Sequence, residues 1–171
     1  MPHTIHWKPA SFANRLGLSV QQKKALNETA SLTAKFKQHC PDLSVEILSE
    51  KQEIPLAYER QYLDLANNQK AWVRCIVLKC GEEPLLYART VIANLTAGNA
   101  WLDIQKIGTQ PLGEILFNLK TVQRTPFQIC YQRYPWPYLT SNKMTTEKLP
   151  ARISTFTQQN DHLLLTEVFL N

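Results

Sequence analysis

Glycine is scarce in this sequence: five residues in 171, none of them spaced as GxGxxG or as a P-loop. A backbone cradle for phosphates is therefore not expected, and the isolated Gly108 and Gly113 do not make one. No apolar run approaches the roughly 20 residues that cross a bilayer as a helix, so no membrane insertion is expected. The opening stretch MPHTIHWKPASF has no apolar core behind a basic start, and no secretory signal is expected from it. The four cysteines, Cys40, Cys75, Cys80 and Cys130, include no CxxC pair. That spacing fits no metal-ligand pattern, and the expectation is reduced thiols in a cytoplasmic protein. His3 and His6 are close in sequence, but two histidines near a terminus do not make a metal site, and none is expected. Internal repeats, zinc-finger spacing and an aromatic RNA-binding signature are all missing, which argues against nucleic acid as a partner.

What is present is an ordinary globular composition, 44% hydrophobic and 19% charged. The length suits one domain, 1–171, with 1–17 irregular and a monomer expected. The formal net charge of +5 is spread along the chain rather than clustered. It reads as a solvated surface, and it also suits a small anionic ligand.

Helical spacing begins at Leu18 and runs to His39, with Ser19 and Ser31 placed to cap two successive helices before Pro41 closes the segment. Strand patterns then cover Leu43–Leu48, Ala71–Lys79, Leu85–Ala93, Phe127–Arg133, Arg152–Thr157 and Leu163–Leu170. Turns at Cys80–Glu83 and Gln158–Asp161 make hairpins of the second and third strands and of the last two. A short helix begins near Pro111 and ends near Asn118. Hairpins imply antiparallel pairing. The expected class is α+β: an antiparallel sheet of about six strands with flanking helices.

Three charges sit where charges are costly. Alternation puts Arg74 on a face with Trp72, Ile76 and Leu78, Arg89 with Leu85, Tyr87 and Val91, and Glu167 with Leu163, Leu165 and Phe169. An unpaired charge among such neighbours costs several kcal/mol, comparable to a domain's whole stability margin. Three arrangements account for them: a wetted face, a buried structural ion pair, or an internal cavity that meets an oppositely charged ligand. Both faces of these strands are apolar, which argues against the wetted face at the middle positions; spacing does not choose between the other two. Thr90 falls on the face opposite Arg89, where packing is the simpler role; Thr109 is a further candidate hydroxyl donor.

Several segments, in order, resemble the chorismate lyase (chorismate–pyruvate lyase) family: SLTAKF (31–36), WVRCIVL (72–78), ARTVIA (88–93), IGTQPLGEILF (107–117), ARIS (151–154) and LLLTEVFL (163–170). The resemblance covers most of the chain from about Leu26 onward. It implies a six-stranded antiparallel sheet with an internal site under helical flaps. The implied activity converts chorismate to 4-hydroxybenzoate and pyruvate without metal or organic cofactor, on the route to ubiquinone or a related aromatic product, with product inhibition. It also implies that Arg74 grips the ring carboxylate, that Glu167 meets the hydroxyl end of the product, and that Leu32 and Leu112 touch the ligand. Two stretches depart from the family: Gln132–Leu149 finds no match, and Ile153 stands where many members carry a second arginine.

Chorismate carries two carboxylates. Arg89 is a candidate for the one on the enolpyruvyl ether, or else a structural partner of Glu167. Burial would favour a neutral Glu167 that donates to the ether oxygen; a nearby arginine would favour a charged anchor. The alternative to an enzyme is a non-catalytic, effector-sensing domain that binds a small aromatic acid on the same scaffold.

Overall fold

The computed structural model describes residues 4–140 and 146–171. His3 and part of the unmatched 132–149 segment lie outside the described residues. The elements run β1 (Lys8–Pro9), a 3-10 helix (Ala10–Arg15), α1 (Val20–Leu26), α2 (Leu32–His39), β2 (Leu43–Glu53), α3 (Ala57–Tyr62), β3 (Ala71–Cys80) and β4 (Glu83–Ile92). A second 3-10 helix (Leu102–Lys106), α4 (Leu112–Asn118), β5 (Gln123–Arg124), β6 (Gln128–Gln132), β7 (Leu149–Gln158) and β8 (Asp161–Phe169) follow. The strands form one antiparallel sheet in the order β1-β6-β7-β8-β4-β3-β2, with β5 added on β7. The expected α+β class and all six expected strands are present; β1 and β5 are two-residue additions.

Local chemistry explains most boundaries. Ser19 caps α1 through a reciprocal capping box with Gln22, and Ser31 caps α2 by accepting from the Ala34 N–H. Gln159 and Asn160 both take positive φ, 49° and 72°, in the two-residue turn that joins β7 to β8. Positive φ at both central residues matches the right-handed twist of the flanking strands.

Other boundaries moved. β2 runs to Glu53, five residues past the expected end, because an edge strand can carry the polar run Ser49–Gln52 without an apolar alternation. β7 starts at Leu149 rather than Arg152, although Pro150 lacks an N–H for the ladder. The first 17 residues are not wholly irregular, since β1 pairs with β6. α3 was not foreseen; it is six residues long and lacks a clear apolar stripe.

The sheet is buried on both faces. One face joins Trp72, Ile76, Leu78, Ala88, Leu165 and Phe169 to the helices carrying Leu26, Leu32 and Leu116. The other joins Val73, Cys75, Tyr87, Val91 and Leu164 to Tyr58 of α3 and to Tyr134 and Trp136. Among the described residues no helix is long and apolar enough to cross a membrane.

The cysteines correct one expectation. Cys40 and Cys80 form a disulfide with Cα atoms 5.8 Å apart. Sequence spacing hid this because the two residues are 40 apart. The β2–β3 register pairs Leu43 with Cys80, which brings the end of β3 beside the end of α2. Cys75 and Cys130 remain free and buried.

Candidate functional site

Arg74 and Glu167 both project from the face that α2 and α4 cover. Cross-strand register sets their offset: Arg74 lies opposite Thr90 on β4, and Glu167 lies opposite Ala88. Two strand spacings and two residues of rise separate their Cα atoms by about 12 Å. The side chains of both residues reach the same space between the sheet and the helices above it. The cavity between them, about 50 Å³, is bounded by Arg74, Thr90, Leu32, Leu112, Arg152 and Glu167 among others. Leu32 and Thr33 come from α2, and Leu112, Gly113 and Leu116 from α4, so two short helices roof a sheet floor.

The roof closes tightly. A Cβ on Gly113 would sit 3.2 Å from Thr33 Oγ1. Lys37 of α2 pairs with Glu114 of α4, which ties the two helices at their outer sides.

Arg74 is 2% exposed. It donates to Glu50 Oε2 at 2.8 Å and to the Gly108 carbonyl at 2.6 Å. These contacts fix the guanidinium plane and leave further N–H donors of the fork for a ligand. Glu167 is held differently. Arg152 Nε donates to its Oε2 at 2.6 Å. Arg152 Nη1 also donates to the Glu28 carbonyl at 2.6 Å, in the link between α1 and α2. The guanidinium stacks on Phe127, 4.1 Å from the ring centroid. Glu167 Oε1 has no protein donor among the described residues and is free to accept a further hydrogen bond.

Arg89 does not join this site. It faces the other side of the sheet and pairs with Glu59 of α3 through two bonds, 2.6 Å from Nε and 3.0 Å from Nη2. Glu53 accepts a third at 3.0 Å. Burial works against the Arg89 cation, but the Glu59 carboxylate more than compensates, and its pKa is raised. Neither expected role for Arg89, the ether carboxylate or Glu167, is met, because strand alternation sends it away from Arg74. Thr90 is the β4 hydroxyl that lines the cavity, contrary to the packing role. Thr109 is not among the lining residues.

Arg152 and Arg124 were missed as site residues. The arginine that faces the cavity from the ARIS segment is Arg152, one position before the departure at Ile153. The signal lay in the predicted turn: six positions out from Gln158 and from Asp161 are Arg152 and Glu167, which are cross-strand partners. Arg124 sits on a two-residue strand that no periodicity could reveal.

The chorismate lyase family model matches residues 1–171. A probable chorismate pyruvate-lyase of Hydrogenovibrio crunogenus is 43% identical over 169 residues, 98% of this chain and 91% of that one. One of Aromatoleum aromaticum is 31% identical over 151 residues, 85% of this chain and 82% of that one. Among solved structures, the PhnF C-terminal domain aligns with a TM-score of 0.57 at 12% identity, covering 84% of this chain and 92% of that one. The ligand-binding domain of a GntR-family transcriptional regulator from Bordetella bronchiseptica aligns at 0.52 and 11%, covering 75% of this chain and 84% of that one. At such identities the structures share the fold alone. The sequence matches carry more, and by them the chain belongs to the chorismate lyase family.

Proposed function

We propose that this protein eliminates pyruvate from chorismate to give 4-hydroxybenzoate, as the first committed step toward ubiquinone or a related aromatic product. The observation that carries this reading is the pairing of a buried arginine and a buried glutamate across one roofed cavity, at a spacing that suits a para-substituted ring. Arg74 takes the ring carboxylate through charge-assisted bonds from its fork. Glu167 Oε1 accepts the ring hydroxyl. Leu32 and Leu112 supply apolar walls from the roof.

The reaction is an elimination across adjacent ring carbons. The carbon–oxygen bond to the ether breaks, and hydrogen leaves the neighbouring, hydroxyl-bearing carbon. The departing enolpyruvate gains that hydrogen equivalent at its methylene carbon and becomes pyruvate. Aromatisation supplies the driving force, so the site's tasks are to hold the ring and to stabilise charge on the departing oxygen. The Arg152–Glu167 ion pair favours the anchoring role for Glu167 over that of an acid. No step in this scheme calls for a metal or an organic cofactor. A roofed site that fits the product favours slow release and product inhibition.

Chorismate added to purified protein should release stoichiometric pyruvate, read through lactate dehydrogenase. Arg74→Ala and Glu167→Ala should each lower turnover at least about a hundredfold, the scale of a lost anchoring or proton-transfer group. Near-normal turnover in either variant refutes the role given to that residue. Binding of 4-hydroxybenzoate with no pyruvate released would instead favour an effector-sensing domain.

A further inference from the structure

Three guanidinium groups border the cavity, and they are not equivalent. Arg74 has the Glu50 carboxylate at 2.8 Å, and Arg152 has that of Glu167 at 2.6 Å. Arg124 has no carboxylate within 4.0 Å among the described residues. Among the described residues its one hydrogen bond runs from Nη2 to the Thr29 carbonyl at 3.2 Å. Its other neighbours are aromatic: Phe127 at 4.3 Å from the ring centroid, and Phe117 and Phe156 at 5.9 Å each. Burial and the nearby Arg152 cation lower its pKa, and the Glu167 carboxylate offsets them only in part. Phe rings hold the guanidinium in place through their faces but contribute no countercharge.

Position adds to charge. Arg124 lines the cavity together with Phe117, Leu116 and Phe156, and these four also line an adjoining hollow completed by Leu119 and Val122. It therefore stands where a substituent leaving the ring plane would emerge from the cavity.

We propose that Arg124 binds the second carboxylate of a dianionic ligand, the one carried on an ether side chain, and so makes the site select dianions over aromatic monoanions. This rests on the lyase reading for the identity of the natural ligand, chorismate, whose enolpyruvyl carboxylate is lost with pyruvate. After the bond breaks, the ring product carries one carboxylate only and no longer engages Arg124. The residue thus contributes to substrate binding and not to retention of 4-hydroxybenzoate.

The test uses two matched probes that need no turnover: 3-(carboxymethoxy)benzoate, a dianion, and 3-methoxybenzoate, which lacks the second carboxylate. Calorimetry on the wild-type protein should show the dianion bound on the order of tenfold more tightly, the scale of one charge-assisted hydrogen bond. Arg124→Gln should bring the two affinities together while leaving that for 3-methoxybenzoate within about twofold. Arg124→Lys, which keeps the charge, should retain most of the preference and guards against a glutamine variant that fails to fold. Equal wild-type affinities, or a preference that survives Arg124→Gln or vanishes in a folded Arg124→Lys, would overturn the assignment. With chorismate, Arg124→Gln should raise KM about tenfold and leave inhibition by 4-hydroxybenzoate unchanged. Wild-type protein that releases no pyruvate defeats the lyase reading, whereas the probe ratio is read independently of it.

Discussion

Arg152 and Glu167 face each other across the β7–β8 hairpin, with Nε 2.6 Å from Oε2. The same guanidinium donates to carbonyls of Leu26 and Glu28 at the end of α1 and just beyond it, at 3.4 and 2.6 Å. One side chain therefore couples the orientation of the site carboxylate to the segment that leads into the roof helix α2. A glutamate 8% exposed at this depth needs that partner. Its desolvation is offset only while the ion pair and the carbonyl contacts hold together.

Arg152→Met should leave Glu167 buried without its partner and lower stability by about 3–5 kcal/mol. The double variant Arg152→Met/Glu167→Leu should recover much of that loss, because neither charge then remains. Urea unfolding of the two variants measures the difference. A double variant no more stable than the single one would remove the ion pair as the cause.

On the far face, Arg89→Met should strand Glu59, which is fully buried, with a loss of similar size, about 3–5 kcal/mol. Affinity of the folded protein for 4-hydroxybenzoate should be unaltered, since Arg89 does not reach the cavity. Denaturant melts and titration calorimetry separate the two effects. A folded Arg89→Met protein with markedly weaker ligand binding would return Arg89 to the site.

Arg89 also marks the limit of what the sequence made legible. Alternation within each strand holds in the structure: Arg74 shares a face with Ile76, and Arg89 with Tyr87 and Val91. What alternation cannot say is which face of one strand continues which face of the next. That depends on register, and β3 pairs Arg74 with Thr90 and Cys75 with Arg89. The hairpins, caps and six long strands follow from local chemistry, so they were visible. α3 and its Glu59 were not, because a six-residue helix shows too few turns for a stripe. Arg124 escaped for the same reason, on a strand of two residues. The Cys40–Cys80 bond is a tertiary event, set by the β2–β3 ladder rather than by any spacing along the chain.

Gly113→Ala should separate the two roof helices without unfolding the protein. Alanine favours the helix over glycine by nearly 1 kcal/mol, which offsets the crowding against Thr33 Oγ1 at 3.2 Å. Global stability should thus change little. Dissociation of 4-hydroxybenzoate should quicken about fivefold, corresponding to about 1 kcal/mol of lost roof contact. Stopped-flow release measures this, and Thr33→Ala on top of Gly113→Ala should restore the slower rate.

The disulfide should be visible chemically. Alkylation of unfolded, unreduced protein should label two of the four cysteines, Cys75 and Cys130, and reduction should expose all four. Closing a 40-residue span restricts the unfolded chain, so Cys40→Ser/Cys80→Ser should lose about 3–4 kcal/mol. Mass spectrometry of the alkylated protein checks the first expectation, and thermal melts with and without reductant check the second.

Cys130 supplies the pH prediction. Burial pushes its thiol up from 9.0 to about 12. In the unfolded chain it ionises near its ordinary value, so between about pH 9 and 12 the folded protein binds more protons than the unfolded one. Stability from this group is therefore full below pH 9 and falls as pH rises toward 12. Cys130→Ala removes the titrating group and should flatten that alkaline decline relative to wild type. Urea melts of both proteins at intervals from pH 8 to about pH 11 give the comparison. Parallel slopes in the two proteins would mean that other buried acids, Tyr58 and Tyr87 foremost, govern the loss instead; both are raised well above their ordinary range by burial.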